Sequence, residues 1–72
     1  MPRFFFHLVG RTKIEDDEGE EFATEQEAEE HARQVASELA QNNPAMWGKS
    51  LVVFDADGRE LIDIPLFEFA VR

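Results

Sequence analysis

The 72-residue chain contains no cysteine and no tyrosine, and its seven lysines and arginines face sixteen aspartates and glutamates. Without cysteine it can form neither a disulfide framework nor a zinc site with thiolate ligands. A hydrophobic core of this size rarely contributes more than about 3–5 kcal/mol to the free energy of folding. Domains of this length that have no disulfide or bound metal therefore often gain stability from an oligomer interface. We therefore expect a single domain, residues 1–72, that self-associates as a homo-oligomer.

Long apolar runs are also missing from the chain. It opens with MPRFFF, which has no basic segment, no extended apolar stretch and no pattern typical of a cleavage site. These features predict neither a secretory signal nor a membrane-spanning helix. We expect a cytoplasmic protein with no membrane partner.

Basic residues are absent from residues 15–30, where ten acids are concentrated. The net charge of the chain is −9. Such a surface repels nucleic-acid phosphates and anionic membranes, and it favours a basic protein partner or serves solubility alone. We predict no nucleic-acid partner and a possible basic protein partner. The acids are Glu15, Asp16, Asp17, Glu18, Glu20, Glu21, Glu25, Glu27, Glu29 and Glu30.

The inventory of nucleophiles is small. The hydroxyl groups belong to Thr12, Thr24, Ser37 and Ser50, and there is no glycine-rich phosphate loop. These residues do not assemble a nucleophile, a base and an orienting acid. The sequence therefore predicts a protein that is not an enzyme, with no catalytic residues and no cofactor.

The first third of the chain reads as extended structure. Arg3–Val9 (RFFFHLV) predicts a strand that ends at Gly10, and Thr12–Glu15 predicts a short returning strand. The acidic turn, residues 16–19 (DDEG), breaks the pattern because aspartate and glycine favour turns. Glu20–Ala23 is expected to be a short extended bridge.

A capping box predicts the only helix. The Thr24 hydroxyl can accept from the amide of Glu27 while the Glu27 carboxylate reaches back. Pro44 forbids continuation, so the helix should end near Gln41 or Asn42. Its apolar stripe is thin and is made of Ala28, Ala32, Val35, Ala36 and Leu39.

The second half predicts a hairpin. Ser50–Phe54 and Glu60–Ile64 are its strands, residues 55–58 (DADG) form the connector with Gly58 in a left-handed conformation, and Pro65 ends the second strand. The order ββαββ predicts an α+β domain in two layers, with one helix on an antiparallel sheet of about four strands.

Both main strands are apolar on two faces, which one helix cannot cover. We assign Phe4, Phe6 and Leu8 to the helix side, and Phe5 with Val9 to the second face. An uncovered apolar face on a soluble protein usually marks an interface. Two sheets packed face to face in a homodimer, with the C-terminal tail contributing to the interface, are the favoured solution. The alternative is a cover formed by Leu66–Val71 together with Met46 and Trp47.

A candidate binding site follows from the same alternation. His7 shares the second face with Arg3 and Phe5, and the acidic turn (Asp16, Asp17 and Glu18) follows the returning strand. Imidazole and carboxylates suit a small ligand or a divalent metal. No set of ligands has a defined metal spacing, so no metal residue is assigned. A ligand- or metal-binding module around His7 and residues 16–18 is the alternative to an acidic interaction module, and the direction in which His7 points separates the two.

The order of four motifs carries a resemblance to a known family. MPRFFFHL, DDEGEEF, TEQEAEEHA and SLVVFDADGRELIDIPL resemble a family of short bacterial proteins of unknown function, abundant in rhizobia and related alphaproteobacteria. Its members open like MPRYFFHL and carry a D-x-EG turn, an Ala-rich acidic helix and a V-x-D-x-x-G-x-x-L hairpin. The resemblance implies a compact α+β fold in a bacterial cytoplasmic protein, and it implies no activity.

A looser similarity, over Arg3 to about Leu39, is to the HicB-like antitoxins. There too an aromatic strand, an acidic glycine turn and a T-x-E-E-A helix follow in this order. The loop with Pro, Gly and Cys that precedes the helix in that group is absent here. This similarity implies an antitoxin role as a further alternative.

Overall fold

The computed structural model describes residues 2–66, and in them one helix packs on an antiparallel sheet. The α+β fold expected from the sequence is confirmed. The elements are β1 (Arg3–Val9), β2 (Lys13–Ile14), β3 (Glu20–Glu21), α1 (Glu25–Asn42), a 3₁₀ turn (Pro44–Met46), β4 (Ser50–Phe54) and β5 (Glu60–Pro65).

The sheet has five strands where the sequence predicts about four. Its order is β2-β1-β4-β5, and β3 also pairs with β1. The additional strand is β3, which the sequence predicts only as an extended bridge because two residues carry no alternation to recognise. The expected second strand is shorter than predicted: of Thr12–Glu15, only Lys13 and Ile14 pair with β1.

The helix begins and ends where the sequence predicts. The Thr24 hydroxyl accepts from the Glu27 N–H at 3.1 Å, and Glu27 Oε1 accepts from the N–H of Ala23 at 3.2 Å, just before the cap. At the other end the N–H of Asn43 donates to the Leu39 carbonyl at 2.9 Å, and Pro44 prevents a further turn.

Alanines let the helix lie close to the sheet. Ala28, Ala32, Ala36 and Ala40 are buried, whereas Val35 and Leu39, predicted for the same stripe, are only half-buried. Residues four apart stack along one line of a helix, and four small side chains on that line bring the backbone near its neighbour. The other members of the core are Phe4, Leu51, Val53 and Leu66, with Phe6 and Leu8 packed against them.

The alternative cover of the second face is not formed by its described residues, Met46, Trp47 and Leu66. Met46 packs against the helix-side core, and Trp47 Nε1 donates to the Ala40 carbonyl at 2.8 Å. The reason is that the 3₁₀ turn directly follows α1 and keeps Met46 and Trp47 near the carboxyl end of that helix. Leu66 is also buried in that core. Residues 67–71 of the predicted cover lie outside the described residues.

The hairpin between β4 and β5 turns through residues 55–58. Asp55 Oδ1 accepts from the N–H groups of Asp57 and Arg59, each at 2.9 Å. The hydrogen bond from the Arg59 N–H is the largest cause of a lowered pKa of Asp55. Burial is the next largest and opposes it, while the Asp57 N–H and the Arg59 guanidinium also lower the pKa. Gly58 has φ +85°, the left-handed conformation that the sequence predicts.

Candidate functional site

The outer edge of β1 carries an interruption between β2 and β3. In β2, Leu8 faces Ile14, and extending that register would place Phe6 opposite Asp16. In β3, Phe4 faces Glu20, and extending that register back would place Phe6 opposite Glu18. The chain therefore inserts two extra residues at this point, as a bulge does. We call residues 15–19 the edge insertion.

The carboxylate of Asp16 fills the gap that the edge insertion leaves. Backbone groups along a strand point alternately to its two sides. At the outer edge the Phe6 N–H therefore has no strand partner, and it donates to Asp16 Oδ2 at 3.2 Å. Asp16 Oδ1 accepts from the N–H groups of Glu18 at 3.2 Å and Gly19 at 3.0 Å. One side chain thus closes the turn and ties it to β1.

These hydrogen bonds determine the charge state of Asp16. Partial burial is the largest single influence and acts to raise the pKa of its carboxyl. The N–H groups of Gly19, Phe6 and Glu18 stabilise the carboxylate and, with a smaller contribution from the nearby His7, lower the pKa below its usual value of 3.8. Asp16 is therefore ionised at neutral pH and acts as an acceptor through both oxygens.

His7 points toward the acidic turn. Its Nδ1 accepts a hydrogen bond from the backbone N–H of Asp16 at 3.0 Å. An imidazole nitrogen that accepts carries no hydrogen, so this arrangement requires Nδ1 to be the ring nitrogen without one. The ring also lies beside Phe54 of β4, with ring centroids 5.1 Å apart. His7 therefore joins the edge insertion to the second face of the sheet.

Arg3 ties down the far side of the edge insertion. Its Nη1 donates to the Glu18 carbonyl at 2.7 Å, and Nη2 forms an ion pair with Glu21 at 3.2 Å. Both side chains of the pair are about half exposed, so the ion pair itself contributes little to stability. The bond to the Glu18 carbonyl fixes the backbone of the turn.

Gly19 is the point where the turn meets β1 most closely. Its φ is +72°, and a Cβ placed there would lie 2.8 Å from the Phe4 carbonyl oxygen and 2.9 Å from Phe5 Cε2. Only glycine combines this conformation with so close an approach. The ring of Phe5 is thus partly covered by the chain's own turn.

The structure brings together five of the six residues predicted for the site. Arg3, His7 and Asp16 are joined to the edge insertion by hydrogen bonds, Glu18 takes part through its backbone, and Phe5 lies against Gly19. Asp17 is exposed and makes no side-chain hydrogen bond or ion pair within residues 2–66. Gly19 and Phe54 belong to the site but are not among the residues predicted for it. The D-x-x-G pattern, present at residues 16–19 and again at 55–58, is the signal for the glycine.

The second histidine serves a different contact from the one that its spacing suggests. The sequence places His31 four residues after Glu27, but the Glu27 carboxylate is engaged at Ala23. His31 Nε2 instead lies 3.6 Å from Glu20 Oε1. Its ring packs on Phe6 and Phe22, with centroid separations of 5.7 and 5.2 Å. His31 joins the helix to β3 and takes no part in the candidate site.

Metal coordination gains no support from this geometry. Across residues 2–66 there is no cluster of three or more His, Cys, Asp or Glu side chains that could hold an ion. Both oxygens of Asp16 are occupied by N–H groups, and Nδ1 of His7 accepts from the backbone. The hydrogen bonds of this site hold the edge insertion against β1 and so fix the shape of the surface on that side of the sheet.

Comparison with known families gives a match that covers most of the chain. Residues 3–68 match the family described as a domain of unknown function, DUF6894. The chain belongs to this family. The matched range contains β1, the edge insertion and the whole of the β4–β5 hairpin, and the family description assigns no biochemical activity to any of them.

Beyond the DUF6894 match, no curated protein and no solved structure matches the chain. Within the described residues, no helix has both the length and the apolar character needed to cross a bilayer.

Proposed function

We propose that the chain is a small, non-enzymatic, acidic interaction module that forms a homodimer through the second face of its sheet. The observation that carries the proposal is the apolar strip on the face opposite the helix. Phe5 lies directly opposite Phe54, and His7 lies directly opposite Val52, across the two central strands. Cross-strand partners share a face, so these side chains are contiguous.

The strip leaves three half-buried apolar side chains around a buried one in the single chain. Val52 is buried, and Phe5, Val9 and Phe54 are half-buried. The helix-side core consists of other residues, and the described part of the chain contributes no second layer on this side. Packing the strip against its own copy would complete a helix–sheet–sheet–helix arrangement.

The acidic surface is the second part of the module. Asp17, Glu21, Glu25 and Glu30 are exposed around the turn and the first half of the helix. A field of one sign raises the rate of encounter with a partner of the opposite sign. We propose a basic protein as that partner, recognised outside the dimer interface.

We also propose a source and a location for the protein. Its resemblance to the rhizobial family implies a cytoplasmic protein of an alphaproteobacterium. The ligand-binding module around His7 stays an alternative: His7 points toward the acidic turn, as that module requires, but its Nδ1 and both carboxylate oxygens of Asp16 are engaged by backbone N–H groups. The HicB-like antitoxin role is a further alternative. A pull-down from the native bacterium would identify the partner that each of these alternatives requires.

The dimer is tested by the molar mass in solution of the wild type and two variants. Val9→Glu places a charge in the strip and is expected to give a monomer. Ile14→Glu is the matched control: Ile14 pairs with Leu8 on the helix-side face and is already 49% exposed, so the dimer should persist. Multi-angle light scattering measures both, and circular dichroism checks that each variant is folded.

A monomeric wild type would overturn the proposal, as would a folded Val9→Glu variant that stays dimeric.

A further inference from the structure

We infer that His7 and Asp16 form a proton-sensitive latch that holds the edge insertion against β1. The latch is closed when His7 is neutral, because its Nδ1 then accepts the Asp16 N–H. Protonation of His7 places a hydrogen on Nδ1 and turns the acceptor into a donor. The same N–H then has no acceptor there, and the latch opens. This inference does not depend on the proposed dimer.

Loss of the hydrogen bond between the Asp16 N–H and His7 Nδ1 affects how the whole edge insertion is attached to β1. The Asp16 N–H and the Asp16 carboxylate both join the insertion to β1, at His7 and at the Phe6 N–H. They flank the place where the regular pairing of β2 and β3 with β1 is interrupted. The latch therefore replaces the missing ladder, and Arg3 at the Glu18 carbonyl is the other described side-chain anchor of the segment.

A second arrangement is available to protonated His7. Its Nδ1–H would be a donor next to the Asp16 carboxylate, an acceptor that already serves three N–H groups. An ion pair there would compete with the Phe6 N–H for Oδ2. Protonation thus exchanges a backbone hydrogen bond for a charge pair and alters how the insertion lies on β1.

The surrounding charges act in both directions. On its own strand and face, His7 has Arg3; β2 and the turn after it carry Lys13, Glu15, Asp16 and Glu18. Lys13 is paired with Glu15 at 3.4 Å. β3 carries Glu21, which is paired with Arg3 at 3.2 Å. β4 offers only Ser50, Val52 and Phe54 on this face, and β5 offers Asp63 opposite Val52 and Glu60 opposite Phe54. The acids outnumber the bases, and they are the groups that a cationic imidazole would engage.

The test is nuclear magnetic resonance on the full-length protein from about pH 8 to about pH 5, the interval in which histidines generally change charge. The ¹⁵N shifts of the His7 ring should show an unprotonated Nδ1 at the upper end. As the ring titrates, the Asp16 amide should lose protection from hydrogen exchange by about fivefold, after correction for the intrinsic rate, as expected for one hydrogen bond.

Two variants separate the latch from general effects of acid. His7→Asn keeps an oxygen acceptor near the position of Nδ1 but does not titrate, so protection of the Asp16 amide should no longer depend on pH. His31→Gln removes the chain's other histidine and should leave the response intact. The wild-type ring shifts test the inference even if His7→Asn does not fold.

Three results would overturn the latch. The first is a wild-type His7 with its proton on Nδ1 at the upper end of the range. The second is an Asp16 amide whose protection does not change while the His7 ring titrates. The third is a pH response that persists in His7→Asn or disappears in His31→Gln.

Discussion

The chain contains two D-x-x-G turns, DDEG at residues 16–19 and DADG at 55–58, and they do different work. In each the aspartate accepts backbone N–H groups and the glycine is left-handed. The hydrogen bonds of Asp55 stay within its own turn and reach no further than Arg59. Asp16 also binds the Phe6 N–H, ten residues away. The same four-residue pattern therefore forms a purely local turn at residues 55–58. At residues 16–19 it also supplies the acceptor that an interrupted sheet edge lacks.

The glycines should show the largest difference between the turns. Gly19→Ala combines a left-handed conformation with a clash against the Phe4 carbonyl and the Phe5 ring, and a loss of about 3–4 kcal/mol is expected. Gly58→Ala has the same strain but nothing within 4 Å of the new Cβ, and about 1–2 kcal/mol is expected. Urea unfolding of both variants measures the difference, and equal losses would contradict it.

The aspartates should differ less, and in a way that depends on pH. Asp16→Asn turns one acceptor oxygen into a donor facing the Phe6 N–H or the turn amides, and about 2 kcal/mol should be lost at neutral pH. Asp55→Asn can keep Oδ1 as an acceptor for both turn amides and should lose less. Because the folded pKa of Asp16 is lowered, the advantage of aspartate exists above the unfolded value near 3.8 and disappears as pH falls through the folded value.

Unfolding of wild type and Asp16→Asn from neutral pH to below the usual aspartate range measures this effect. The two stabilities should converge at the acidic end. A difference that stays constant over the whole range would show that the charge on Asp16 is not what stabilises the turn.

The arginines beside the turns should give the smallest contrast. Arg59 pairs with Glu25 at 3.1 Å and Asp55 at 3.2 Å at an exposed position, so Arg59→Ala should cost no more than about 0.5 kcal/mol. Arg3→Ala removes the bond to the Glu18 carbonyl and should cost about 1 kcal/mol. Thermal unfolding in low and high salt compares them. Salt should reduce the Arg59 effect more, and the reverse order would be the contrary outcome.

The difference between the turns also explains what the sequence predicts well. The DADG hairpin, the helix from its capping box to Pro44, and the alternation of Phe4 and Phe6 with Phe5 are local patterns, and the structure confirms them. The site residues Arg3, His7 and Asp16 are recognisable as polar groups near one turn. Their bonds are not predictable, because they depend on a register offset between two very short strands.

The alternative that placed Met46 and Trp47 on the second face of the sheet fails for a related reason. Both are apolar residues in a loop, and apolar content alone does not say which face of the sheet a loop reaches. The direction is determined by the 3₁₀ turn that follows the helix and by the Trp47 bond to the Ala40 carbonyl. Neither feature has a signature in the spacing of residues.

The two extra residues opposite Phe6 also have a consequence for how copies of the chain can meet. An uninterrupted outer strand offers a row of free N–H and C=O groups on which another chain can grow as a further strand. Here that side of β1 is covered by two-residue strands with a carboxylate between them, so no long template remains along it. We therefore expect that another chain cannot add a strand on this side of β1. This disfavours open-ended, edge-to-edge polymerisation of a small sheet that is rich in aromatic residues.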